Sequence, residues 1–218
     1  MRGSRDADAA RAAILGAAIA EFTAKGLAGA RMDAIARAAD VAKGLVFHHF
    51  GSKDGLWVAA LSEIYRLLRA GQDETALDAL GPEAGMRRLV TDTFGLFRDH
   101  PEIVALMNEE NLHRARHLKA APEIRTLYNP LFAAIERLLA VGRAQGVFHA
   151  EADVTALYVA LSGLGYFYCA NRWTLSAAFA GDLFRPERIA AYETLIADMV
   201  LAYLRHGPGQ ARLPKPGR

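Results

Sequence analysis

The chain has 218 residues, 52% of them hydrophobic and 23% charged, with a formal net charge of +2. It is long enough for one large or two small domains with a substantial core, and too evenly charged for nucleic-acid binding to be inferred from bulk charge. The single cysteine, Cys169, excludes an intrachain disulfide and suits a reducing cytoplasm.

Eight prolines fall mostly at element boundaries and no stretch alternates with period two, so an all-α protein is predicted. Residues 1–9 are polar and read as a frayed terminus, with Arg2 and Arg5 as candidates for a minor-groove arm. The run Ala12 to Ala20 has the composition of a signal-peptide core. However, Asp6 and Asp8 occupy the region that should be basic, and Leu15, Ala18, Ile19 and Phe22 form a helical stripe closed by Gly26. An amphipathic helix is expected there, and no apolar run reaches the roughly 20 residues that span a bilayer, so no membrane partner is expected.

The stretch Met32 to Lys53, MDAIARAADVAKGLVFHHFGSK, reads as two short helices joined by a tight turn at Asp40. Met32, Ile35, Ala36 and Ala39 share one face of the first. Val46, His49 and Phe50 share a face of the second with Val41, leaving Ala42, Lys43, Gly44, Leu45, Phe47 and His48 outward. Such a helix fits a major groove about 12 Å wide and brings its side chains to base edges. Lys43 is placed for a guanine edge or a phosphate, Leu45 for a thymine methyl, Phe47 and His48 for sugar-phosphate, and Gly44 for close backbone approach. Lys53, with the amides of the helix that Ser52 caps, and Arg31, before the first helix, are expected phosphate clamps. Residues 1–55 carry eight Lys and Arg against six Asp and Glu, so the DNA inference rests on this layout and not on charge.

Residues 11–56 resemble the DNA-binding domain of the tetracycline-repressor (TetR) family of bacterial transcriptional regulators. The resemblance is carried by Ile14, Ala18, Phe22, Gly26, Ile35, Ala36, Ala39, Val41, Lys43-Gly44, Phe47, His49-Phe50, Ser52-Lys53 and Leu56 at fixed spacing. This chain departs from the family with Arg31 for Ser or Thr, Asp40 for the turn Gly, Leu45 for Thr and Phe47 for Tyr, so the usual hydroxyl–phosphate contacts of the last two do not carry over.

A linking helix, 53–70, follows, with Leu56, Trp57, Ala60, Leu61, Ile64 and Leu68 as its buried stripe. The Gly, Asp and Ala-rich segment 71–85 is the expected boundary between a head, 1–55, and a second domain, 71–206. Helices are predicted over 83–99, 102–119, 122–145, 153–180 and 186–206, bounded by Pro101, Pro122, Gly146 and Pro186. The tail 207–218, rich in Gly, Pro and basic residues, is expected to be disordered.

The second domain resembles, more weakly, the helical ligand-binding and dimerisation domain of the same family. Leu157, Leu161, Leu164, Phe167 and Tyr168, and Ile189, Tyr192, Leu195, Ile196, Met199 and Tyr203, exceed the needs of one core stripe, which points to a homodimer built on a four-helix interface. Phe94, Phe97, Met107, Asn111, Tyr128, Phe132, Tyr166, Cys169, Asn171 and Trp173 are the expected lining of a site for a largely apolar small-molecule effector. The resemblance implies a cytoplasmic repressor released from a double-stranded DNA operator by that effector; a constitutive repressor without effector is an alternative.

A further alternative is a helical metal-dependent oxidase. Glu110 and His113 have the Glu-x-x-His spacing of di-iron bundles, with His117 on the same face. Those sites need a second such motif, which is absent here, so no metal, cofactor or catalytic residue is expected.

Overall fold

The computed structural model describes residues 2–70, 74–127, 129–149 and 151–207; the tail 208–218 and Tyr128 lie outside the described residues. In chain order the helices are α1 (Arg2–Gly29), α2 (Met32–Ala38), α3 (Lys43–Phe50), α4 (Lys53–Ala70), α5 (Glu74–Ala79), α6 (Pro82–Asp99) and α7 (Pro101–Leu112). There follow α8 (Arg116–Ala120), α9 (Glu123–Thr126), α10 (Asn129–Ala144), α11 (Val154–Ala170), α12 (Arg172–Ala178) and α13 (Pro186–His206). No strand occurs among the described residues, so the all-α expectation holds.

The local signals behave as their chemistry requires. Ser52 Oγ accepts from the Gly55 amide at 3.0 Å and Asp153 Oδ1 from the Ala156 amide at 2.7 Å, each satisfying a donor of a helix's first turn. Pro101 and Pro186 open their helices, where a missing N–H costs nothing.

Three predicted long helices are broken. The one over 102–119 stops at Leu112, because Arg114 and Ala115 take positive φ (56° each), and restarts at Arg116. The one over 122–145 stops first at Thr126, and the one over 153–180 divides at Asn171.

By packing, the chain forms two units, Met1–Arg69 with His100–Leu127, and Ala70–Asp99 with Tyr128–Arg218. Residues 100–127, assigned by sequence to 71–206, therefore group with the first unit.

In the first unit α1 packs against α2, α3 and α7. Ile14, Ala18, Phe22 and Leu27 form its buried line, with Leu15 and Ile19 half-buried. α1 begins at Arg2, before the expected start. Gly26 (φ 65°, ψ 176°) bends the helix where the sequence indicates its close, and a last turn continues to Gly29. Within Asp6–Gly29 one stretch is long and apolar enough by length and composition to cross a membrane, contrary to the sequence expectation. Trp57 of α4 is fully buried, edge-on to Phe22 with ring centroids 5.0 Å apart.

The second unit is organised around α6, which packs against α5, α10, α11 and α13. Its core includes Met86, Leu89, Phe94, Ile135, Leu139, Phe148, Leu161, Ile196, Val200 and Leu204. Burying each such side chain contributes about 1.5–3 kcal/mol. The loop after α10 is held by the His149 amide, which donates to the Leu204 carbonyl at 2.8 Å.

Candidate nucleic-acid interface

The helix-turn-helix is built from α2 and α3. Ile35, Ala36 and Val46 are buried between them and α1, and this fixes the angle of α3. The turn residue Asp40 has φ 53°, the conformation that a turn glycine supplies without a Cβ penalty and that Asp tolerates better than most residues. α2 has no side-chain cap at Arg31. Instead Glu21 of α1 accepts the Arg31 amide at 3.2 Å, and Lys25, with help from that amide, holds the Glu21 carboxyl below its ordinary value. The carboxylate of another helix thus takes up the amide that a capping hydroxyl would leave to be satisfied.

The residues expected at DNA fall as follows. Ala42, Lys43, Gly44, Phe47 and His48 are exposed along one side of α3, and Arg31 is exposed before α2. Leu45 is half-buried, so it is less outward than its spacing indicates. Lys43 Nζ is 2.6 Å from Asp33 Oδ1, and Lys53 Nζ donates to the Ala28 carbonyl at 3.1 Å, so both cations have partners within the protein. His49 is packed beside Phe50, and its Nε2 has no hydrogen-bond partner among the described residues. Arg11 of α1 lies over the Phe50 ring, 5.2 Å from its centroid, and backs the end of α3. Arg2 and Arg5 belong to α1, with side chains outside the described residues.

The residues expected to line an effector site are divided between the two units. Phe94, Phe97, Phe132, Tyr166, Cys169, Asn171 and Trp173 belong to the second unit, whereas Met107 and Asn111 belong to the first. Phe94 packs on Tyr168 and Tyr192, Phe97 on Tyr166 and Phe132 on Tyr158, so aromatic neighbours occupy these faces. Burial pushes the Cys169 thiol up to about 11. Asn171 Nδ2 donates to the Phe167 carbonyl, and Trp173 is 75% exposed beneath the Arg172 guanidinium. A groove of about 320 Å³ in the second unit is lined by other residues, among them Asp78, Pro82, Arg137 and Val141.

The metal alternative is overturned. His117 lies beyond the break in the 102–119 helix, on α8, and its ring is still brought against Glu110 and edge-on to His113, with ring centroids 5.8 Å apart. Glu110 is 2% exposed and its oxygens are taken by four donors: Oε1 accepts the His117 amide (2.9 Å) and the Leu118 amide (3.1 Å), and Oε2 accepts Trp57 Nε1 (3.0 Å) and His117 Nδ1 (2.7 Å). Arg116 Nε donates to His117 Nε2 at 3.1 Å, which fixes the tautomer with its proton on Nδ1. Burial raises the Glu110 carboxyl, but the Trp57 and His117 side chains and the two amides together hold it below its ordinary value. Nothing in the local sequence signals this role, because Trp57 is 53 positions away.

Residues 14–60 match the family described as bacterial regulatory proteins, tetR family, and residues 82–200 match the tetracyclin repressor-like C-terminal domain. The transcriptional repressor NicS of Pseudomonas putida is 32% identical over 202 residues, covering 93% of this chain and 95% of that protein. The regulator BetI of Burkholderia thailandensis is 29% identical over 148 residues, 62% of this chain and 72% of that one. Among solved structures, a tetR-family regulator from Rhodococcus RHA1 superposes with a TM-score of 0.66 at 24% identity, over 88% of this chain and 96% of the other. FadR of Bacillus subtilis, in complex with stearoyl-CoA, gives 0.64 at 17% identity, over 91% and 100%. With both domains matched and the helix-turn-helix presented on α3, the chain belongs to the TetR family, non-enzymatic DNA-binding regulators of transcription.

Proposed function

We propose that the chain is a cytoplasmic, homodimeric repressor that binds a pseudo-palindromic operator and is released by a largely apolar small molecule. The observation that carries the reading is α3, whose exposed side presents Lys43, Gly44, Phe47 and His48 while buried Val46 anchors it. Lys53 and Arg31 supply phosphate contacts at the flanking helix starts. Residues 1–55 and the linking helix 53–70 form the reading part, and effector binding and dimerisation fall within 71–206.

Dimerisation is supported by apolar side chains on α11 and α13 that the second unit leaves outside its core. Phe167 is 59% exposed, and Val159, Leu195, Met199 and Tyr203 are also exposed. Two copies of that pair, related by a two-fold axis, make a four-helix interface and supply the second reading head, setting half-site centres about 34–36 Å apart or a multiple of that. An effector role is supported by FadR, a regulator of this fold solved in complex with stearoyl-CoA.

Footprinting on the DNA flanking the chain's own gene tests the reading. Salt-sensitive protection of two symmetric half-sites is expected, and its absence across that region counts against it. Hydrophobic compounds screened by thermal shift and operator release then separate the repressor with an effector from the constitutive one, for which ligands leave operator affinity unchanged.

A further inference from the structure

The last turn of α7 ends on two successive carboxylates that reach different helices of the first unit. Glu109 Oε1 accepts the Leu27 amide at 3.0 Å, just past the bend of α1, and the glycine there leaves room for it: a Cβ on Gly26 would meet that oxygen at 3.1 Å. Glu110 turns the other way and accepts Trp57 Nε1 of α4, as well as the amides and ring that begin α8. Adjacent residues on a helix point about 100° apart, so one turn can hold α1 and α4 at once.

This arrangement is locally unfavourable in three respects. Two acidic side chains sit at a helix C-terminus, where the helix dipole disfavours negative charge. Arg114 and Ala115, neither of them glycine, both take positive φ to close the corner onto Glu110. A carboxylate is buried among neutral N–H donors, where an apolar side chain would pack without a desolvation cost. Backbone strain and buried charge kept together at one corner are the mark of a site that serves function more than stability. Both carboxylates act on the helices that carry the reading surface: α1 packs directly on α2 and α3, and α4 begins three residues after α3 ends.

We infer that Glu109 and Glu110 are positioning residues for DNA reading, a two-pronged clamp through which the α7–α8 corner sets the orientation of α3. The inference rests on the DNA-binding reading above. Glu110→Gln keeps the shape but places an NH₂ where the carboxylate accepts two donors, so at least two of its four hydrogen bonds fail in either amide orientation. Trp57→Phe removes the indole N–H together with part of the buried bicyclic ring, so it takes away the donor and some packing.

The test measures operator affinity, unfolding temperature and, by NMR, exchange of the Trp57 indole proton and of the His117 and Leu118 amides, with exposed Trp173 as the internal reference. Glu110→Gln is expected to speed exchange of the Trp57 indole proton or of the His117 and Leu118 amides at least tenfold, according to which oxygen the NH₂ replaces, and to weaken operator binding at least tenfold, well below its unfolding temperature. Trp57→Phe is expected to weaken binding in the same direction. Gly142→Ala, a destabilising change in the second unit, is the stability-matched control and is expected to leave affinity unchanged. A wild-type chain that binds no duplex from its flanking DNA would overturn the DNA-binding reading. Wild-type binding alongside variants that lose thermal stability but keep full affinity would overturn the clamp alone, as would exchange unaltered at the Trp57 indole and at the His117 and Leu118 amides alike in Glu110→Gln.

Discussion

Lys43, the first residue of α3, is paired with Asp33 in the first turn of α2, Nζ to Oδ1 at 2.6 Å. The hydrogen bond and charge of Lys43 hold the Asp33 carboxyl below its ordinary value. The cation expected to touch DNA is therefore partnered within the head, and binding must exchange a carboxylate for a base edge or a phosphate.

Asp33→Asn is expected to release Lys43, tighten binding to every duplex several-fold and steepen its salt dependence, because one more cation then displaces counterions. Lys43→Ala should cost about 1–3 kcal/mol at the operator if the lysine reads a base, and lower the salt slope by about one unit if it meets phosphate. Titrations of specific and scrambled duplexes at several salt concentrations measure both. Weaker binding by Asp33→Asn would mean that the carboxylate holds Lys43 in its reading pose.

Glu110 gives a pH dependence of defined sign. Its carboxyl lies below the ordinary value of 4.5 in the folded chain, so the unfolded chain takes up its proton first as pH falls. The stabilisation it provides is complete above that ordinary value and is lost as pH falls through the lower folded one. Denaturant titrations between about pH 3 and 6 should show stability declining toward acid, less steeply in Glu110→Gln, and equal slopes would remove Glu110 from the account.

Two glycines should respond oppositely to alanine. A Cβ on Gly142 would lie 2.1 Å from Phe148 Cδ2 in the core of the second unit. Gly142→Ala should therefore cost about 1–3 kcal/mol through overpacking. Gly16 in α1 has nothing within 4 Å of a built Cβ. Gly16→Ala should stabilise by about 0.5–1 kcal/mol, through helix propensity alone. Thermal unfolding of the two variants reads the contrast directly.

The exposed apolar face of α11 and α13 yields a test of oligomeric state. Phe167→Glu or Leu195→Glu should shift the equilibrium to monomers in analytical ultracentrifugation while helical content is retained, since neither side chain belongs to the core. Operator affinity should then fall steeply, because one head loses the effective concentration that its partner confers. A wild-type monomer at micromolar concentration would contradict the homodimer.

What could be read in the sequence was whatever is settled within a few residues. The 32, 35, 36 spacing of α2, Ser52 and Asp153 at helix starts, and Pro186 opening α13 are local, and each is satisfied where it was predicted. The presented face of α3 follows from the same periodicity, except at Leu45. Tertiary structure decided the rest. The break after Leu112 contains neither Gly nor Pro and closes on Glu110, whose other partner is Trp57. The bend of α1 is held by a carboxylate 82 positions away, and Lys43 and Lys53 are drawn to partners on neighbouring helices. Buried charge and strained backbone persist only where distant groups satisfy them, and a linear pattern does not carry those pairings.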